Sequence, residues 1–321
     1  MILVTGGAGF IGSALVHRLA ARGEEVVVVD KLTYAGRVEN LPPGAKLVPI
    51  DLVDFEQLSK VVRLYKPSLV FHLAAESHVD RSFHDPLAFT RTNVLGTHSL
   101  FEAVRRFADG ARVVHVSTDE VYGPASDVPY REEDRLAPTS PYAASKAGGD
   151  MVARSYFHTY GLDVVVARPS NAYGPRQHPE KLIPKAIIRL MLGMYVPVHG
   201  SGRQRRTWTY VEDVVDALLL LAERGARGEA YNIASGEERS VLEVVEAVAR
   251  ALGVEPRVKF VKDRPAQDVR YLLDTSKISA LGWRAKTPFD VGVVETVRWY
   301  RENRWWWEPL LDDEFFKRDE P

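Results

Sequence analysis

Thr118, Asp119 and Glu120 set a hydroxyl and two carboxylates side by side directly after the apolar run Val113 to Val116. Ionised groups are costly at the mouth of a buried strand, so the pair either sits on a solvated loop or moves protons. Charge on a loop after a strand is common, and these residues alone leave both readings open. Further on, Tyr142 and Lys146 stand four apart, a spacing that puts both on one face of a helix, and Pro141 suits that helix's first turn. A lysine beside a phenol favours phenolate, and a nicotinamide cation would add to the effect. Tyr142 then becomes a base for an alcohol, although Tyr and Lys at this spacing also occur on ordinary helix surfaces.

The stretch VTGGAGFIGSALV carries Gly6, Gly9 and Gly12 where a first strand ends and a helix opens. Glycine there allows a tight turn, a close approach of backbone N–H groups to a pyrophosphate and close packing of helix on strand, while the helix N-terminus favours anionic oxygens. The pattern alone is weak, but it follows a strand and is matched by Asp30 at the end of the second one, where an acidic residue meets a ribose 2′-OH. The alternative is a glycine turn and a solvated Asp. Asp30 favours NAD over NADP because its carboxylate repels a 2′-phosphate, with neighbouring Lys31 acting the other way.

Elements to hold these groups are legible around them. ILVTG, EEVVVVD, KLVPID, SLVFHLAA and ARVVHVST alternate with IGSALVHRLAARG, FEQLSKVVRLY and LGTHSLFEAVRRF. Strands apolar on both faces alternating with amphipathic segments predict an α/β, Rossmann-type doubly wound parallel sheet covered by helices. After VVVARPSNAYGPRQHPEKLIP the rhythm loosens, which predicts a second, smaller α/β lobe. YVEDVVDALLLLAERG and EAYNIAS read as a helix and a strand returning to the first lobe. The expected division is 1–168 plus about 211–234 for the dinucleotide, and about 169–210 plus 235–321 for the substrate. In the tail, WWWEPLLDDEFFKRDEP, the Trp residues are expected to cover the core and the end to fray.

The 321 residues are 45% hydrophobic, enough for a sizeable core, and 42 Lys plus Arg balance 43 Asp plus Glu. No basic field gathers nucleic acid or an anionic membrane. The absence of cysteine excludes disulfides, thiolate zinc sites and a cysteine nucleophile, and gives no sign of an oxidising compartment. MILVTGGAGF lacks the features of a signal peptide, and no run approaches the roughly 18 apolar residues of a membrane span. A cytoplasmic protein that binds no metal and crosses no membrane is expected.

TGGAGFIG, HLAA at 72–75 and the Tyr142–Lys146 pair resemble the extended short-chain dehydrogenase/reductases that act on nucleotide sugars. VDKLTYAG, HLAAESHVDRS, STDEVYG, SPYAASKA, GPRQHPEKLIP and DRPAQDVRY are similar, in the same order, to the dTDP-glucose 4,6-dehydratase branch. The resemblance runs nearly end to end. It implies a redox-neutral dehydration. Tyr142, assisted by Thr118 and Lys146, takes the 4-OH proton as hydride passes from C4 to NAD; Glu120 removes the C5 proton while Asp119 protonates the departing 6-OH; hydride then returns to C6. The assignment of acid and base within the pair comes from the resemblance, although β-elimination needs one of each and adjacent carboxylates resist double ionisation. Epimerases of the superfamily need only the redox step and typically lack the pair. A UDP-sugar 4-epimerase, 4,6-dehydratase or decarboxylase on the same scaffold is the alternative.

The same resemblance implies cofactor contacts at Gly6, Gly9, Phe10, Ile11, Gly12, Asp30, Lys31, Asp51, Leu52, Ala74, Ala75, Asn93, Tyr142 and Lys146. It implies nucleotide-sugar contacts at Ser82, Thr118, Asn171, Lys181, Leu182, His199, Arg206, Asn232, Arg264 and Gln267. Arg and Lys suit phosphate oxygens, and each is otherwise a solvated charge. His199, Thr207 and Gln267 depart from the Tyr, Asp and His usual at these positions, which bears on thymine against uracil. The chain is also short between Gly123 and Tyr142, which bears on lid length. TNVLGTHSLFEAVRRF and YAASKAGGDMVARSYFHTYG are amphipathic; the resemblance implies that they pair two subunits in a homodimer, whereas in a monomer they would cover the sheet.

Overall fold

The computed structural model describes residues 1–125, 127–263 and 268–317. Its centre is a seven-stranded, wholly parallel sheet. Numbered along the chain, the strands are β1 (Ile2–Thr5), β2 (Val26–Val29), β3 (Lys46–Val48), β4 (Leu69–His72), β5 (Arg112–Val116), β6 (Asp163–Pro169), β7 (Asn171–Tyr173), β8 (Val196–His199), β9 (Arg205–Tyr210), β10 (Ala230–Ile233), β11 (Glu238–Ser240) and β12 (Val258–Val261). The central order is β10-β6-β5-β4-β1-β2-β3, so the direction of winding reverses between β1 and β4. In such sheets a crevice opens outside the carboxyl ends of the strands at that reversal.

The doubly apolar strands find a layer on each face. Val4, Phe71, Val114 and Val165 pack with Leu15, Leu19, Leu218 and Leu221 from helices Phe10–Ala21 and Val211–Arg224. Their chain neighbours Leu3, Val70, Val113 and Val164 face the other way, onto Leu58, Phe101, Val104 and Tyr156 from helices Phe55–Tyr65, Thr97–Phe107 and Pro141–Tyr160. This alternation is the period-2 geometry of a pleated strand. Each fully buried side chain of this kind contributes about 1.5–3 kcal/mol of transfer free energy.

Two small sheets, β11-β9-β7 and β12-β8, share a third core with helices Leu182–Met191, Val241–Leu252 and Phe289–Glu302. Trp306 and Trp307 close this core, whereas Trp305 is 59% exposed. The tail therefore covers the core with two of its three tryptophans. The expected fraying of the last residues falls outside the described ones. A six-residue π-helix, Arg91–Gly96, precedes helix Thr97–Phe107 and has no sequence signal; such bulges gather at functional sites.

Candidate active site

Two clefts open at the carboxyl end of the central sheet. The first, about 1180 Å³ out to its open mouth, is lined by Gly6, Gly9, Phe10, Ile11, Gly12, Asp30, Lys31, Asp51, Leu52, Ala74, Ala75, Tyr142, Lys146 and Lys181, among others. The second, about 940 Å³, is lined by Glu120, Asn171, Lys181, Leu182, Arg206, Trp208, Asp268 and Tyr271, among others. Ser77, Gln177, Glu180 and Lys181 line both, so the two form one continuous space.

The glycine turn is built for a close approach. Gly6 has φ +69°, and a Cβ there would lie 2.5 Å from the Ala74 nitrogen; a Cβ on Gly12 would lie 2.1 Å from the Gly6 oxygen. Neither position admits a side chain, and the bare backbone of Gly9 lines the cleft. Asp30 accepts from the N–H of Ala8 at 3.0 Å and of Leu32 at 2.9 Å, which fixes its carboxylate at the rim with lone pairs left for ribose hydroxyls. Lys31 lies 3.4 Å from Glu76 and 3.3 Å from Thr92, and its charge is thereby turned from a 2′-phosphate. A dinucleotide without that phosphate fits these residues.

Helix Pro141–Tyr160 begins where its cap demands. Ser140 accepts from the N–H of Ala143, Pro141 occupies the first turn, and Gly161 ends the helix in the left-handed region. Tyr142 and Lys146 are consequently both buried on its inner face and both line the first cleft. The Lys146 ammonium donates to the Val116 carbonyl at 2.6 Å, and burial pulls it down to about 8 with the charge of Asp150 acting against the loss. Burial pushes the Tyr142 phenol well up; the Glu120 charge adds to this and a hydrogen bond from Thr118 opposes it. The Lys146 ammonium points at a backbone carbonyl.

A short 3-10 helix, Asp119–Tyr122, follows β5, capped by Thr118 accepting from the Glu120 N–H at 3.3 Å. It turns Asp119 inward, to 3% exposure, while Glu120 lines the second cleft. Thr118 donates to Asp119 Oδ1 at 3.1 Å, and Oδ2 has no hydrogen-bond partner among the described residues. Burial first, then the Glu120 charge, push Asp119 up to about 7, against Arg206 and the Thr118 hydrogen bond. Near neutral pH this side chain can hold a proton and give it up. Arg206 stacks 4.4 Å from the Tyr271 ring and donates to backbone oxygens of Arg205, Asp268 and Val269, which orients a guanidinium at the cleft wall.

Five expected contacts line neither cleft, and neither does the expected acid Asp119; Thr118 spends its hydroxyl on Asp119 and on the Glu120 N–H. Asn93, on the π-helix, spends its side chain on both backbone groups of Glu76 and on Ser145. Ser82 is fully buried and donates to the Val79 carbonyl. Asn232 is fully buried, accepting from the Tyr122 hydroxyl and the side-chain nitrogen donating to Tyr130 and Asp274 carbonyls. His199, at the end of β8, lies against the Lys262 carbonyl. In each case an internal partner holds the side chain back. Arg264 and Gln267 lie outside the described residues. Sequence reasoning missed His178 and Glu180, which line the first cleft, and Tyr34 and Arg81, which pack against them. The Arg81 guanidinium lies 3.7 Å from the Tyr34 ring and 2.8 Å from Glu180, and Tyr34 meets His178 edge-on. The signal was present, since Tyr34, His178 and Glu180 lie in VDKLTYAG and GPRQHPEKLIP.

The family model of GDP-mannose 4,6 dehydratase matches residues 3–296. A dTDP-glucose 4,6-dehydratase of Streptomyces niveus is 47% identical over 322 positions, covering 96% of this chain and 95% of its own length. The crystal structure of DesIV, a dTDP-glucose 4,6-dehydratase from Streptomyces venezuelae with NAD bound, matches with a TM-score of 0.93 at 46% identity, over 96% of this chain and 99% of that one. A Thermus thermophilus UDP-glucose 4-epimerase complexed with NAD matches with a TM-score of 0.90 at 37% identity, over 94% of this chain and 99% of the other.

Proposed function

The chain belongs to the GDP-mannose 4,6 dehydratase family, and from that premise we infer that it is an NAD-dependent dTDP-glucose 4,6-dehydratase forming dTDP-4-keto-6-deoxyglucose. The observation that carries the reaction type is Asp119, a buried acid pushed up to about 7 beside Glu120. Epimerisation needs no such pair; loss of water across two neighbouring carbons does.

NAD, when bound, supplies the acceptor of the C4 hydride, its return to C6 and a positive ring that favours the Tyr142 phenolate. Tyr142 takes the 4-OH proton, with Thr118 hydrogen-bonded to it and Lys146 one helical turn away as a nearby cation. The resulting 4-ketone acidifies the C5 proton. Glu120 removes that proton while Asp119 delivers its own to the 6-OH, so that water leaves and C5 becomes double-bonded to C6. Reprotonation of C5 accompanies reduction at C6, and each positioned acid or base supplies roughly 10²- to 10⁴-fold. Arg206 and Lys181 suit the diphosphate, Arg by paired hydrogen bonds and Lys as a point charge.

Residues 1–168 with about 211–234 would hold the cofactor, and about 169–210 with 235–321 the sugar nucleotide; the third core supports this division, while Ile278 and Trp283 pack back into the core of the central sheet. A cytoplasmic homodimer completes the reading. The lack of cysteine supports the compartment, and Leu95 and Met151, 49% and 48% exposed on adjoining helical segments, support the dimer, which sedimentation of the purified protein tests. No described helix is long and apolar enough to cross a membrane.

The deciding experiment incubates purified protein and NAD with dTDP-glucose and UDP-glucose in competition and weighs the products. Loss of one water from the dTDP sugar is expected. A galactose-type isomer would establish an epimerase instead, preferential loss of water from the UDP sugar would reassign the base, and no product between about pH 6 and 9 would end the proposal.

A further inference from the structure

Behind Lys146 lies a buried polar network that the proposed reaction leaves unused. Asp150 follows one turn later on the same helix face and is 2% exposed. Arg168, on β6, donates through Nε to Asp150 Oδ2 at 2.9 Å and through Nη1 to the Tyr122 hydroxyl at 2.6 Å and the Glu132 carbonyl at 3.2 Å. The Tyr122 hydroxyl donates in turn to Asn232 Oδ1 at 2.8 Å. His115 Nε2, on β5, stands 3.4 Å from Asp150 Oδ1. Side chains from four elements, β5, the 3-10 helix, β6 and β10, are thus linked to one carboxylate.

Lys146 is 5% exposed, and a buried ammonium without a countercharge sheds its proton. The groups facing it are few. His72 on β4 is held between the hydroxyls of Thr5 and Thr97, and burial keeps both it and His115 below the ordinary imidazole value, hence neutral at pH 7. Arg168 on β6 is spent on Asp150. Tyr142 on the same helix is pushed up, Asp119 is up to about 7, and Tyr122, Glu120 and Glu132 belong to the segment after β5. Burial would push Asp150 up, but the neighbouring His115, 3.4 Å away, and the Arg168 charge outweigh it and hold the carboxyl below its ordinary value. Among the described residues, Asp150 is the group whose charge supports the ammonium against desolvation.

We propose that Asp150, fixed by Arg168 and His115, is a positioning residue that acts through Lys146, keeping its ammonium charged one turn from Tyr142. The role rests on the reading of Tyr142 and Lys146 given above. It predicts that Asp150→Asn lowers the pH at which Lys146 loses its proton. Two readouts separate this role from plain support of the fold. The first is the pH dependence of single-turnover C4 oxidation, followed by nicotinamide absorbance. Its alkaline limb moves down by about one unit or more in Asp150→Asn, a tenfold change in the ratio of charged to neutral lysine, while Asp150→Glu stays near wild type. The second is the pH dependence of Lys146 acylation by a small reagent, read by peptide mass, which shows the same shift with no sugar present.

Should Asp150→Asn fail to fold with Arg168 left unpaired, the double variant Asp150→Asn, Arg168→Met removes both buried charges and is expected to fold with the same downward shift. Superimposable acylation profiles in a folded variant overturn the proposal, as does an Asp150→Glu profile shifted as far as that of Asp150→Asn. Wild-type protein that makes no product from dTDP-glucose would sink the reading of the reaction, and the acylation profiles would still decide the role of Asp150.

Discussion

Replacing Asp119 by Asn should stabilise the protein above neutral pH while removing its dehydration chemistry. Asp119 is raised from 3.8 to about 7 by burial and by Glu120, roughly three units, and at 1.36 kcal/mol per unit the native state resists its ionisation by on the order of 4 kcal/mol. Below about pH 4 both folded and unfolded chains carry the proton, and the stability is present in full. As pH climbs towards 7 the unfolded chain ionises while the native one does not, so stability is lost progressively, completely above about pH 7. Asparagine has no proton to lose. It keeps the oxygen that accepts from Thr118, but its amide nitrogen takes the place of Oδ2, which has no hydrogen-bond partner among the described residues, and that costs about 1–2 kcal/mol. The net expectation is a gain of about 2 kcal/mol at pH 8 and none, or a slight loss, at pH 4. Urea unfolding of both proteins at the two pH values measures it. In single turnover the variant should still oxidise C4 but lose water roughly 10²- to 10⁴-fold more slowly. A variant less stable than wild type at pH 8 would refute the argument from burial, and undiminished loss of water would refute the assignment of Asp119 as acid.

Glu120→Gln should leave C4 oxidation measurable as a transient of reduced nicotinamide while abolishing loss of water; a normal dehydration rate would require another base. Tyr142→Phe should remove the transient as well, since the first proton then has no acceptor, and a transient of wild-type amplitude would exclude the phenol. Gly12→Ala places a Cβ 2.1 Å from the Gly6 oxygen, a clash with backbone that cannot swing aside. The expected result is loss of NAD retention through gel filtration, or of folding itself, and unchanged retention would show that the turn can open.

The central sheet was legible because burial on both faces writes itself into composition. ILVT, VVVV and RVVHV contain almost nothing that could face water, and the intervening helices carry a single apolar stripe. The glycine turn was equally plain, since Gly6 and Gly12 hold positions where a side chain collides with backbone. What sequence could not give is where a polar side chain spends its hydrogen bonds. Asn93 and Asn232 look like residues available to a ligand, and both are consumed internally by partners far along the chain. Arg168 is a cation at the end of an apolar strand in the sequence; only the pairing of β6 with β5 and the fall of helix Pro141–Tyr160 across them bring it to Asp150. The network behind Lys146 is a tertiary property, and the desolvation that raises Tyr142 is invisible to spacing.

Two adjacent carboxylates can divide acid from base only if one residue of chain separates two environments. An extended loop after β5 would leave both in water with near-equal affinities for protons, and neither would hold one at pH 7. The 3-10 turn changes this by rotating successive side chains about a third of a revolution, which takes Asp119 to 3% exposure and leaves Glu120 at the cleft wall. Thr118 fixes the start of that turn by accepting from the Glu120 N–H, and it contacts Asp119 and Tyr142 with the same hydroxyl. Proton affinity at this site is therefore set by backbone geometry before any charge acts. Glu120 then adds its repulsion to a group already desolvated, which is why burial stands ahead of charge among the causes raising Asp119. Burial is also the larger influence at Tyr142 and Lys146, so the sheet's dry carboxyl edge poises the site and neighbouring charges, Asp150 among them, adjust it.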